Sequence, residues 1–167
     1  MIVLDNNALV FLYRPAGGQQ DLHHKMQYLF DEQKRAKKTF GIPAPALAEF
    51  LIGEPNPAKR QEFLSLFSGK SKVYQILDFD MKSSVMCTMI SDIMNNRPNE
   101  CSKEPRQKVK VDRQILAIAI SNKAKLIISN DKGLLNAARY LAEQQFKIQA
   151  VDVSEITVPV ETQSTLF

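Results

Sequence analysis

Residues 1–5 read MIVLD, four apolar side chains in a row closed by an acid. A strand with one wet face alternates apolar and polar residues, because successive side chains point to opposite sides of the sheet. An unbroken apolar run leaves no wet face, so MIVLD suits a strand buried on both sides of a parallel sheet. Four further stretches read as strands: 39–43 (TFGIP), 72–79 (KVYQILDF), 125–129 (KLIIS) and 146–151 (FKIQAV).

Helical signals fill the spaces between them. A short helix follows Asp5, and a longer one covers roughly 20–38, where Leu22, Met26, Leu29 and Phe30 share a face. Lys34, Arg35, Lys37 and Lys38 sit at its far end, where the helix dipole favours cations. Pro45 suits the first turn of a helix over 45–52, the segment EPNP breaks the chain after Gly53, and Asn56–Pro57 opens another helix that ends near Gly69. A Met-rich helix is predicted over 80–95, a polar loop over 96–107, a helix over 112–123, and a last helix from the turn at 130–133 to about 144. Strands and helices thus alternate from end to end. The expected class is α/β: a three-layer α/β/α sandwich around a central, mostly parallel sheet. A single domain over 1–156 and a tail over 157–167 complete the division.

Composition narrows the setting. The chain has 167 residues, 44% hydrophobic and 24% charged, the balance of a globular domain able to bury its own core. Its apolar stretches fall short of the roughly 20 residues of a membrane span, and Asp5 interrupts the first run with no basic leader before it. A cytoplasmic protein without a membrane segment is the expectation. Cys87 and Cys101 show no C-x-x-C spacing, so they read as free thiols in a reducing compartment, not as a zinc site. His23 and His24 read as surface residues. Net charge is +4, from 22 Lys and Arg against 18 Asp and Glu. That surplus of cations is a mild pointer to an anionic partner.

Open parallel sheets bind ligands beyond the carboxyl ends of their strands. Asp5 closes the first strand and Asp131 follows the strand at 125–129. Glu49 lies one turn into the helix after the second strand, and Asp112 opens the helix over 112–123. None of the four has a basic residue at pairing distance within these elements. Each acid alone has a plain structural explanation: a helix cap for Asp112, turn chemistry in NDKG for Asp131, a cap at the end of the strand for Asp5, and the helix dipole for Glu49. None of these explains why all four fall at one end of the architecture.

The same segments resemble the PIN-domain nucleases, whose small bacterial members include the VapC-type toxins. Residues 2–9 (IVLDNNAL) are similar to the family's opening strand, with Asp-x-Asn after an apolar run. Residues 43–53 (PAPALAEFLIG), 112–119 (DRQILAIA) and 126–133 (LIISNDKG) resemble its second, third and fourth blocks, in the same order and with similar spacing. Asn6 stands where threonine is usual, Ser129 takes a threonine position, and the 81–107 region is longer than in the smallest members.

The resemblance implies a Mg²⁺- or Mn²⁺-dependent endoribonuclease. It implies Asp5, Asp112 and Asp131 as metal ligands, Glu49 as the residue that positions the attacking water, and Asn7 and Ser129 as hydrogen-bonding supports of the carboxylates. Hard divalent cations do choose carboxylate oxygen and water, in keeping with such a set. Lys103, Arg106, Lys108, Lys110 and Arg113 form a basic tract leading to Asp112 that could guide a phosphate backbone. By analogy an antitoxin partner and a homodimer are expected. The final residues, QSTLF, resemble short peptides that dock on the sliding clamp of replication. The rival functions are a DNA-directed or repair-associated nuclease and a non-catalytic scaffold of the same fold.

Overall fold

The computed structural model of the chain describes residues 1–69, 72–97 and 106–159. Five strands appear in chain order: β1 (Ile2–Leu4), β2 (Phe40–Pro43), β3 (Tyr74–Leu77), β4 (Leu126–Ser129) and β5 (Gln149–Asp152). The helices are α1 (Asn6–Tyr13), α2 (Gln20–Arg35), α3 (Ala44–Ile52), α4 (Pro57–Phe67), α5 (Met81–Asn95), α6 (Arg106–Ser121) and α7 (Lys132–Glu143). A single 3₁₀ turn over Val153–Glu155 follows β5. All five strands run parallel, in the order β3-β2-β1-β4-β5.

The unbroken apolar runs do what their lack of alternation implies. Val3 and Ile127 point to one face of the sheet, into an aliphatic core with Ile115, Leu116, Ala119, Leu134 and Leu141. Leu4 and Ile128 point to the other, into a core with Leu9, Met26, Phe40, Phe50, Phe67 and Tyr74. Helices therefore cover both faces, which gives the three-layer sandwich. Gly41 in β2 lies under tight packing: a Cβ there would meet Leu77 Cδ1 at 2.7 Å and Met1 Sδ at 2.9 Å. Only glycine lets the aliphatic face close at that point.

Two helix starts follow the sequence signals closely. The Asn56 side chain caps α4 by accepting from Ala58 and Lys59, with Pro57 in the first turn. Asp80 caps α5 by accepting from the Ser83 amide at 2.9 Å. The helix expected over 112–123 is longer than drawn. α6 begins at Arg106, so Asp112 lies in its second turn and does not cap it. The segment 96–107 is therefore not loop throughout, since Arg106 and Gln107 are helical. Cys101, Lys103 and the terminal QSTLF segment lie outside the described residues.

Candidate active site

The strand order reverses direction at β1, which is flanked by β2 on one side and β4 on the other. Loops leaving β1 and β4 must diverge there, and that divergence opens a crevice at the carboxyl ends of the strands. Asp5 and the Ser129–Asp131 segment line it. The Asp5 amide donates to the Ile128 carbonyl at 3.1 Å, which fixes the two strand ends side by side.

Asp5 is only 5% exposed and its side chain makes no helix-capping bond, so the capping explanation does not account for it. Ser129, fully buried, ties the crevice together. Its hydroxyl donates to Asp5 Oδ2 at 2.7 Å and accepts from the Asp131 amide at 3.0 Å. Burial pushes the Asp5 carboxyl above its ordinary value, and Asp131 adds to this; the Ser129 hydroxyl, the Asn6 amide and Lys108 only partly offset it.

Asp131 divides its two oxygens between two tasks. Oδ1 caps α7, accepting from Gly133 at 2.8 Å and Leu134 at 3.1 Å. Oδ2 faces the Lys108 ammonium at 2.8 Å. Burial alone would raise this carboxyl, but Lys108 and the two amides outweigh it and hold it below the ordinary range.

Glu49 reaches the same crevice from α3. It sits beyond that helix's first turn, so the dipole explanation does not hold for it. Solvent reaches it, yet partial burial, followed by repulsion from Asp5 and Asp131, raises its carboxyl against the pull of Lys108. Asp112 is half-buried, one helical turn beyond Lys108 on the same face of α6. Asp5, Glu49 and Asp131 thus feel one another's charge, and Lys108 reaches them from α6; Asp112 lies one turn farther along the same helix.

The expectation that no base pairs with these acids is overturned by the Lys108–Asp131 contact. The basic tract also divides. At 100° per residue, Lys108 and Asp112 share one face of α6, while Arg106, Lys110 and Arg113 lie on the opposite one. Arg106 and Lys110 are exposed, and Arg113 donates to Asn95 on α5 at 3.0 Å. Asn7 makes no side-chain hydrogen bond among the described residues. His24 is exposed, while His23 is half-buried with Nδ1 at 2.8 Å from the Phe11 carbonyl.

Two features had no reading in the sequence. Asn6 Oδ1 is buried without a partner. It lines a groove of about 420 Å³ with Glu49, Arg14 and Glu54, which extends away from the acids between α1 and α3. Arg14 bridges the far part of this groove, 3.7 Å from Glu54 and 2.8 Å from the Phe50 carbonyl.

Among the described residues, no three His, Cys, Asp or Glu side chains are gathered tightly enough to grip one ion. Mg²⁺ does not require such a cage, since it commonly takes one or two carboxylates and keeps several waters. The donors at the crevice are hard oxygens, and Asp131 Oδ2 already holds a cation in the form of an ammonium. The residues present fit a hydrated divalent ion.

No family model matches the sequence, and no curated protein does. Solved structures do match. VapBC2 from Rickettsia felis, bound to a DNA fragment from its promoter, superposes with a TM-score of 0.57 at 15% identity, over 91% of this chain and 98% of that one. DNA-bound VapBC from Salmonella typhimurium gives 0.57 at 15%, over 91% and 97%. VapBC-1 from nontypeable Haemophilus influenzae gives 0.59 at 14%, over 93% and 100%. The chain has the PIN-domain fold. Within that fold the β1–β4 crevice is where Asp5, Ser129 and Asp131 stand. No helix among the described residues is long and apolar enough to cross a membrane.

Proposed function

We propose that this PIN-fold chain is a metal-dependent endoribonuclease, the toxin half of a toxin–antitoxin pair. The observation that carries the reading is a buried carboxylate, Asp5, held at the sheet's switch point among Glu49 and Asp131 at a net energetic cost. Proteins rarely keep a buried, repelled acid that serves only structure. A VapC-like fold supports the toxin assignment, and the cationic surplus supports an RNA substrate.

Asp5, Asp112 and Asp131 would hold Mg²⁺ or Mn²⁺, with Ser129 steadying Asp5 and the Asp131 segment; Asn7, whose side chain hydrogen-bonds none of the described residues, does not share that task. Such an ion supplies a Lewis acid for the phosphate oxygens and lowers the pKa of a water. Ser129 keeps Asp5 oriented through its hydroxyl. Glu49, the acid that solvent reaches, accepts the proton of the attacking water at a carboxylate oxygen, a task suited by its raised proton affinity. Arg106 and Lys110, exposed on the outer face of α6, give the RNA backbone a salt-dependent contact, and Lys103, Lys108 and Arg113 add charge to the same stretch of sequence. An antitoxin, a second copy of the chain and a sliding clamp (through the C-terminal tail) are the proposed protein partners, in a cytoplasmic setting.

Incubating the purified chain with RNA and with DNA, each with Mg²⁺, Mn²⁺ or EDTA, tests this. RNA cleavage only with metal is expected. Cleavage confined to DNA would favour the repair reading, and intact substrates in every tube would favour the scaffold.

A further inference from the structure

We infer that Lys108 is a built-in counter-ion that competes with the divalent cation for Asp131, and so sets how much metal the protein needs before its crevice is loaded. The inference rests on the metal-dependent reading above and concerns the regulation of that same site.

The contest is over one atom. Asp131 Oδ1 is committed to the start of α7, where it accepts from Gly133 and Leu134. Oδ2 is therefore the oxygen an ion can take without uncapping the helix, and Oδ2 is where the Lys108 ammonium sits, at 2.8 Å. The same positive charge acts on Asp5 and Glu49, so Lys108 relieves repulsion across the whole crevice and not at one acid alone. Its side chain is 40% exposed, against 19% for that of Asp131. The ammonium can thus swing into water when a like-charged ion arrives, at little cost in hydration. Helix geometry keeps it close after it leaves, because α6 holds Lys108 one turn before Asp112.

A lysine that only stabilised the fold would lower the melting temperature on removal without altering metal affinity. A competitor changes both, in opposite directions. The test is calorimetric titration of Mn²⁺ alone, without RNA, into chelator-stripped full-length wild type, Lys108→Met and Lys108→Arg. Lys108→Met is expected to bind Mn²⁺ about tenfold more tightly, because a positive charge a few ångströms from the ion is gone. Its metal-free form should melt below wild type. Lys108→Arg keeps the charge and should bind within about twofold of wild type. Lys108→Gln serves as a second neutral variant should Lys108→Met fold poorly.

Equal or weaker Mn²⁺ binding by the neutral variants, with wild type binding normally, overturns the inference and leaves the nuclease reading standing. Failure of wild type and the neutral variants alike to bind Mn²⁺ removes the metal-dependent reading and this one with it. Binding by the neutral variants alone supports the competition in its strongest form.

Discussion

Glu49 and Phe50 are neighbours on α3, yet they enter regions in which burial has opposite consequences. Phe50 joins an aromatic wall with Tyr13, Phe63 and Phe67, where ring centroids lie 4.9 to 6.3 Å apart in edge and tilted contacts. Water is excluded there from apolar area, and the hydroxyls of Tyr13 and Tyr74 satisfy each other. Glu49 joins the acid crevice, where burial raises the carboxyls of Asp5 and Glu49 and Ser129, the Asn6 amide and Lys108 answer them only in part. The wall is built for stability. The crevice gives stability up to hold charge in place, as functional sites often do.

The sharpest way to break this comparison is Asp5→Asn. Cleavage should fall on the order of a thousandfold, about 4 kcal/mol of transition-state stabilisation, while the metal-free fold stays as stable or becomes more so. The pH dependence gives the sign. Asp5 holds its proton more tightly folded than unfolded, so its penalty is absent below its ordinary value of 3.8 and grows as pH rises through the higher folded value. The advantage of Asp5→Asn in EDTA should vanish at about pH 4 and below, and be largest at neutrality. A variant melting well below wild type at neutral pH would make Asp5 a structural residue.

Phe67→Ala should do the reverse. Phe67 is 4% exposed and packs on Tyr13, Phe50 and Tyr74, so its loss should cost about 3 to 4 kcal/mol in a urea melt and leave Mn²⁺ affinity unchanged. Ser129→Ala removes the donor to Asp5 and the acceptor for Asp131. It should lower activity or metal affinity roughly 10- to 100-fold, measured by single-turnover cleavage and by titration. The smallest effect is expected for Tyr74→Phe, which deletes the hydroxyl pair of the wall: about 1 kcal/mol of stability and no change in cleavage.

Much of this division could be read from the chain, for identifiable reasons. MIVLD and KLIIS lack alternation because both faces of β1 and β4 are covered, so the parallel sheet was legible, while the strand order that puts the switch point at β1 was not. Asp5 and Asp131 followed from the sheet as strand-end acids. β5 was placed early: Phe146 and Ile148 are apolar because they pack against or within the aliphatic core, but the strand itself starts at Gln149. The start of α6 was hidden because Arg106 and Gln107 end a polar, proline-bearing stretch that reads as loop, while 108–111 (KVKV) alternates polar and apolar residues as a strand would. That boundary mattered most. Drawing the helix from 112 left Lys108 outside it and concealed its place one turn before Asp112, opposite Asp131. The wall's exact ring contacts, and the orphaned Asn6 oxygen, depend on packing between distant segments that no local pattern carries.

Anomalous diffraction from a crystal grown with Mn²⁺ tests the central claim most directly. An anomalous peak in the crevice, bounded by Asp5 and Asp131, with the α6 face of Asp112 turned to it and the Lys108 ammonium moved off Asp131 Oδ2, is the predicted result. Mn²⁺ found only elsewhere on the molecule, with the Lys108–Asp131 pair intact at 2.8 Å, would contradict it.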